Sequence, residues 1–125
     1  MSKPLTDQQL HNLAMNIVGK DLTAKGYEFI AVNSKLKKHP QFVCIDKRNQ
    51  RYFVIVKSSI ITGLPIPYDV IWMETFKKHA EAQNAKILFA GVGLGNVKNK
   101  LVPPNLNEEY LLQYDGLQSL DIELN

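Results

Sequence analysis

The sequence predicts a single α/β (α+β) domain of element order α-β-β-β-α-β, a mixed sheet flanked by helices. Three observations predict it. Residues 39–57, HPQFVCIDKRNQRYFVIVK, read as two antiparallel strands around a polar turn, because β-branched and aromatic residues fill both arms. Apolar residues recur at helical spacing on either side of the strand region, near the N-terminus and again after residue 69. The second helical stretch is followed by KILFAGVGL, a nearly continuous apolar run of the kind a fully buried strand shows. Meandering strands followed by a helical crossover into a further strand give a mixed sheet.

The first helix covers residues 6–25. Thr6 is a good N-cap, and Gln9 three residues later completes a capping box. Leu10, Leu13, Ala14, Ile17, Val18 and Leu22 form its apolar face, and Gly26 suits a left-handed C-terminal cap. YEFIAVN, residues 27–33, alternates as a strand. KLKKHP is a basic connection in which Pro40 resists helix. Two strands then flank Lys47–Gln50. Ser58 to Asp69 reads as a loop, punctuated by Gly63, Pro65 and Pro67. Asp69 caps a second helix running to about Asn84, with Val70, Met73, Phe76 and Ala80 on its apolar face and Ile71 and Trp72 widening it. Residues 86–94 form the next strand, Pro103-Pro104 ends regular structure, and Tyr110–Tyr114 reads as an edge strand.

The chain of 125 residues is expected to form one domain, residues 1–125, in which 101–125 are an acidic C-terminal extension. No apolar run approaches the ~20 residues of a membrane helix, and MSKPLTDQQL lacks the apolar stretch of a secretory signal, so a cytoplasmic location without membrane association is expected. Cys44 is the single cysteine, which fits a reducing compartment and excludes an all-cysteine zinc site or an iron–sulfur cluster held within one chain. Residues 1–100 hold all 15 bases and 7 of the 12 acids, a net +8, while 101–125 hold the other five acids and no base. Lys35, Lys37, Lys38, Lys47, Arg48, Arg51 and Lys57 cluster between 35 and 57 against one acid, Asp46. Such a patch attracts polyanions, including nucleic acid, and also serves as a solvated rim that keeps a hairpin soluble.

Lys57 closes an apolar run, where its charge is costly unless it reaches water, an acid or a phosphate. The element order and the hairpin resemble the PD-(D/E)xK (restriction-endonuclease-like) nuclease superfamily. There a proline–acid pair opens one strand, an acid-x-lysine triplet lies in the next, the acids bind a divalent metal, and the lysine supports the attacking water or the scissile phosphate. The matching positions are Pro40-Gln41, thirteen intervening residues, then Ile55-Val56-Lys57. Both acids are replaced, by Gln41 and Ile55, and only the lysine stays. The resemblance therefore implies a nuclease-like scaffold without the reaction. Asp46 and Glu28 are the acids that would restore a Mg2+-dependent nuclease with Lys57, although Asp46 beside Lys47-Arg48-Asn49 also reads as a turn residue capping backbone amides.

GVGLG, residues 91–95, lacks the G-x-G-x-x-G spacing and a following helix, so it reads as a strand entering a tight turn whose glycines admit close backbone approach. His11, His39 and His79 lie on separate elements without ligand spacing, and His79 reads as a solvated residue near a helix end, where a cation suits the dipole. Cys44 reads as a small core residue, and Trp72 and Phe76 as core. YDVIWMETFKKHA and KILFAGVGLGN also resemble small bacterial proteins that bear the name of the flavin-binding component of Na+-translocating NADH-quinone reductase. That component's domains bind FAD and a [2Fe–2S] cluster beside a membrane anchor. This chain, with one cysteine and no room for a flavin domain, is expected to carry neither flavin nor cluster and no cofactor or metal.

Three functions follow as expectations. The first is a non-catalytic nuclease-like domain that binds a macromolecule, nucleic acid for instance, through the seven basic residues. The second is a Mg2+-dependent nuclease using Asp46 or Glu28 with Lys57. The third is a protein-interaction module, pairing with a partner or with itself through an edge strand or the acidic tail.

Overall fold

The structure, a computed structural model, describes residues 3–35, 40–61 and 70–119, with only the backbone described for residues 70–73 and 75. Two helices and six strands follow in the order α1 (Asp7–Ala24), β1 (Glu28–Val32), β2 (Phe42–Ile45), β3 (Arg51–Ile60), α2 (Val70–Ala82), β4 (Ala85–Asn96), β5 (Tyr110–Tyr114) and β6 (Gln118–Ser119). This is the expected mixed α+β architecture. The strands form one sheet, β1-β2-β3-β4-β5, with β6 also on β4. β3 and β4 run parallel through the α2 crossover, and all other pairings are antiparallel.

The local signals operate as read. Thr6 Oγ1 accepts the Gln9 N–H at 3.2 Å while Gln9 Oε1 accepts the Thr6 N–H at 2.9 Å. At the other end of α1, Gly26 takes φ +89°, and the Tyr27 N–H reaches back to the Leu22 carbonyl at 3.1 Å. The buried face of α1, Leu10, Ala14, Val18 and Leu22, packs on one side of the sheet against Phe42, Cys44, Val54, Val56, Leu88 and Val92. His11 joins that buried face, 3% exposed, a position helical polarity did not forecast. On the other side of the sheet, Phe76 and Ala80 of α2 meet Phe53, Ile55, Ile87 and Phe89. Val54 and Val56 thus face α1 while Phe53 and Ile55 face α2, so the central strands are apolar on both faces.

Three boundaries differ from expectation. β3 does not end at Lys57: it continues to Ile60, so Ser58–Ile60 are strand rather than loop. Its partner β4 reaches Asn96, because GVGLG stays paired to β3 and then to β5 instead of turning. Gly95 is where close approach is used: a Cβ there would meet the Lys100 carbonyl oxygen at 2.8 Å. β6, two residues long, was not foreseen. The expected Asp69 cap, the prolines of its loop, Lys37, Lys38 and His39 lie outside the described residues, as do the side chains of Val70, Ile71, Trp72 and Met73. Among the described residues, no helix is long and apolar enough to cross a membrane.

Candidate functional site

The hairpin pairs Phe42 with Val54 and Ile45 with Arg51, a register that sets Gln41 opposite Ile55 when carried one residue further. Gln41 is fully buried, and its Oε1 accepts the Val56 N–H at 2.8 Å. Pro40 has left the ladder at this point, and the Gln41 side chain supplies the acceptor that β2 no longer offers. The residue at the first metal-acid position is therefore consumed by the backbone. Ile55, at the second, is fully buried in the core facing α2.

Lys57 is half-buried, and strand alternation carries it to the α2 face beside Gly91 of β4. The acids proposed to join it are elsewhere. Glu28 pairs with Ile45, and Ile45 pairs with Arg51, so Glu28 and Asp46 sit at the start of β3. Lys57 lies six residues along that strand, roughly 20 Å away at ~3.3 Å per residue. Neither Asp46–Lys57 nor Glu28–Lys57 is brought together. Asp46 is a turn cap: its Oδ1 accepts the Arg48 and Gln50 N–H groups at 2.8 and 3.0 Å, and its Oδ2 accepts the Tyr52 hydroxyl at 3.2 Å. Partial desolvation pushes its carboxyl up, but those hydrogen bonds and the Arg48 charge prevail and hold it below its ordinary value. Among the described residues, no group of three His, Cys, Asp or Glu side chains could hold a metal ion.

The basic residues also divide. Lys47 and Arg48 in the turn and Arg51 at the start of β3 are exposed at one end of the sheet, interleaved with Glu28 and Asp46. Lys35 is at the opposite end, past β1. The seven-residue patch of the sequence is thus not one surface over its described members. Cys44 is fully buried, and that burial, with Asp46 nearby, pushes its thiol up to about 11, which leaves it a core residue without a thiolate at neutral pH.

A different place gathers exposed apolar side chains. β1 is an edge strand with all five residues exposed, yet three are large and apolar: Phe29, Ile30 and Val32 at 42%, 51% and 58% exposure. Its register slips between Phe29 and Ala31, and this bulge brings Phe29 and Val32, three residues apart, to the same face. They border an open groove of about 840 Å³ between β1 and α1. Met15, Gly19 and Lys20 of α1 and Phe42 of β2 complete its walls, and Asn12, Asn16, Thr23 and Ser34 form a polar rim. Gln8 Nε2 of α1 donates to the carbonyl of the rim residue Ser34 at 2.7 Å. Phe29 and Phe42 are in ring contact at 5.3 Å between centroids. The groove residues were not singled out in the sequence; the signal available was two adjacent apolar residues, Phe29-Ile30, on a short strand without a lysine or proline to guard its edge.

No curated protein and no solved structure matches the chain. The model of a family described as a domain of unknown function, DUF8840, matches residues 8–120, from the first turn of α1 to the end of β6, and the chain belongs to that family.

Proposed function

We propose that the chain is a non-catalytic interaction domain whose binding surface is the open β1 edge with the adjoining α1–β1 groove. The observation that carries this reading is β1 itself, an edge unpaired among the described residues, whose large apolar side chains are left in water. Exposed apolar area beside a free strand edge is costly in a monomer and typical of a binding surface. The loss of both metal acids and the separation of Lys57 from Asp46 and Glu28 support a scaffold without hydrolysis. If the nuclease-like resemblance holds, the domain keeps the fold and has moved its function to an edge.

The test sets two surfaces against each other. Gly19→Leu fills the groove, while Lys47→Glu/Arg48→Glu/Arg51→Glu reverses the turn. Both variants and the wild type are compared by quantitative affinity purification, and by anisotropy with labelled DNA and RNA at low and near-physiological salt. The reading expects partners lost with Gly19→Leu and kept with the triple variant. Salt-sensitive nucleic-acid binding lost only in the triple variant would move the function to the basic turn.

A further inference from the structure

The groove has a one-sided chemistry. Met15, Phe29, Val32 and Phe42 give it apolar walls. Among the described residues, Lys20 is its one charged side chain and no carboxylate lines it. Lys35 follows directly after the rim residue Ser34. Along its outer border runs the side of β1 that pairs with no strand among the described residues. The Asn33 N–H donates inward to the Gln41 carbonyl at 2.8 Å, so alternation turns the Val32 N–H and C=O outward. Outward backbone groups, an apolar trough beside them and a single cation are the complement of an extended chain.

The geometry points to one occupant: an extended peptide segment of another protein, added to β1 as a further strand, with alternate apolar side chains in the groove and an Asp or Glu at Lys20. This rests on the interaction-domain reading above and names its ligand class. Strand addition draws affinity from main-chain hydrogen bonds and specificity from pockets for alternate side chains, and both components are present here. Length separates a peptide from a second copy of the chain. β1 offers five residues, ~17 Å of edge, whereas a stable dimer buries ~800 Å² per partner. Charge separates an acidic peptide from a basic or neutral one, since the described walls of the trough present a lysine and no acid.

Gly19 gives the inference a test. A Cβ at this position meets Phe42 Cζ at 3.5 Å and Phe29 Cζ at 4.0 Å, ordinary contacts with two rings that line the groove, and Gly19→Leu is checked for a native circular dichroism spectrum before it is titrated. A phage-displayed random octapeptide library is panned on the full chain. Enriched sequences are then synthesised with fluorescein and titrated by anisotropy against wild type, Gly19→Leu and Lys20→Glu. The expected peptides carry apolar residues at alternate positions, with an Asp or Glu taking one place of that same parity, because Lys20 lines the same groove as the apolar walls. Gly19→Leu should weaken them more than about ten-fold by filling the trough, and Lys20→Glu by about five-fold, the scale of an exposed ion pair reversed. Peptides lost with Gly19→Leu but indifferent to Lys20→Glu would overturn the acidic ligand and leave the groove standing. Peptides bound equally by Gly19→Leu would remove both the ligand and the interaction-domain reading. Absence of any enriched peptide, or a dimer in sedimentation that Gly19→Leu dissolves, would also overturn the peptide as occupant.

Discussion

At the scale of single residues, two polar side chains tie the fold together, one where the β2–β3 ladder fails and one between α1 and β5. Gln41 satisfies the Val56 N–H in a fully buried site. Gln41→Leu keeps the volume but strands that donor, and an unsatisfied buried N–H costs about 1–3 kcal/mol. Urea titration should show this loss with an unchanged m-value; an unaltered midpoint would mean that Gln41 is dispensable. The second is Asp21, whose Oδ2 accepts the Tyr114 hydroxyl at 2.6 Å while its Oδ1 holds Lys25, also at 2.6 Å. Burial pushes the Asp21 carboxyl up, but the Lys25 and Tyr114 hydrogen bonds and the Lys25 charge prevail and hold it below its ordinary 3.8. Burial, with Asp21 alongside, pushes the Tyr114 hydroxyl up. A carboxylate with a depressed folded value contributes stability that is complete above its unfolded value and is lost as pH falls through the folded one. Tyr114→Phe should therefore cost about 1–2 kcal/mol at neutral pH, and the gap to wild type should narrow as pH falls below the ordinary carboxylate value of 3.8. A gap independent of pH would show that Tyr114 acts by packing alone. This contact spans 93 residues, and nothing local in the sequence announces it.

At the scale of elements, what was legible is what local chemistry decides. The Thr6–Gln9 box, the Gly26 cap, the buried face of α1 and the Asp46 turn follow from neighbours within four residues of one another. What was not legible depends on partners. Ser58 and Ser59 look like loop residues, yet β4 lies alongside through Leu94 and extends the strand. The β1 bulge shifts side-chain parity after Phe29, and simple alternation would have sent Phe29 and Val32 to opposite faces. The candidate groove was hidden for that reason. Two glycines separate the cases. Gly19 lies within α1 with room for a methyl group, so Gly19→Ala should stabilise the fold by about 0.5–1 kcal/mol through helix propensity. Gly95 has a carbonyl oxygen where its Cβ would go, so Gly95→Ala should destabilise by about 1–3 kcal/mol as the Lys100 backbone is forced away from β4. Thermal melts read both, and the two shifts should have opposite signs. A loss at Gly19 would mean that the α1–β1 groove is tighter than its 3.5 Å contact indicates.

At the scale of the whole molecule, the topology explains why a basic stretch close in sequence does not become one surface. Antiparallel pairing sends Lys47, Arg48 and Arg51 to one end of the sheet and leaves Lys35 at the other, so nearness in the chain becomes distance in the fold. The same topology grades stability across the sheet. β3 and β4 pair over ten residues and are covered on both faces, by α1 and by α2. β1 pairs on one side only among the described residues, is broken by a bulge, and buries none of its five residues. Amide exchange should follow that gradient. The Leu88, Phe89 and Ala90 amides should exchange only through global unfolding, and the outward Val32 amide should exchange with almost no protection. Such an edge is inexpensive to extend, because an incoming strand meets outward backbone groups without first displacing a described strand. A bound peptide should therefore slow exchange at Val32 before it changes exchange anywhere in β3 or β4. Protection at Val32 equal to that of β4 in the free protein would mean that the edge is already covered, and the groove would then be an interior seam and not a binding surface.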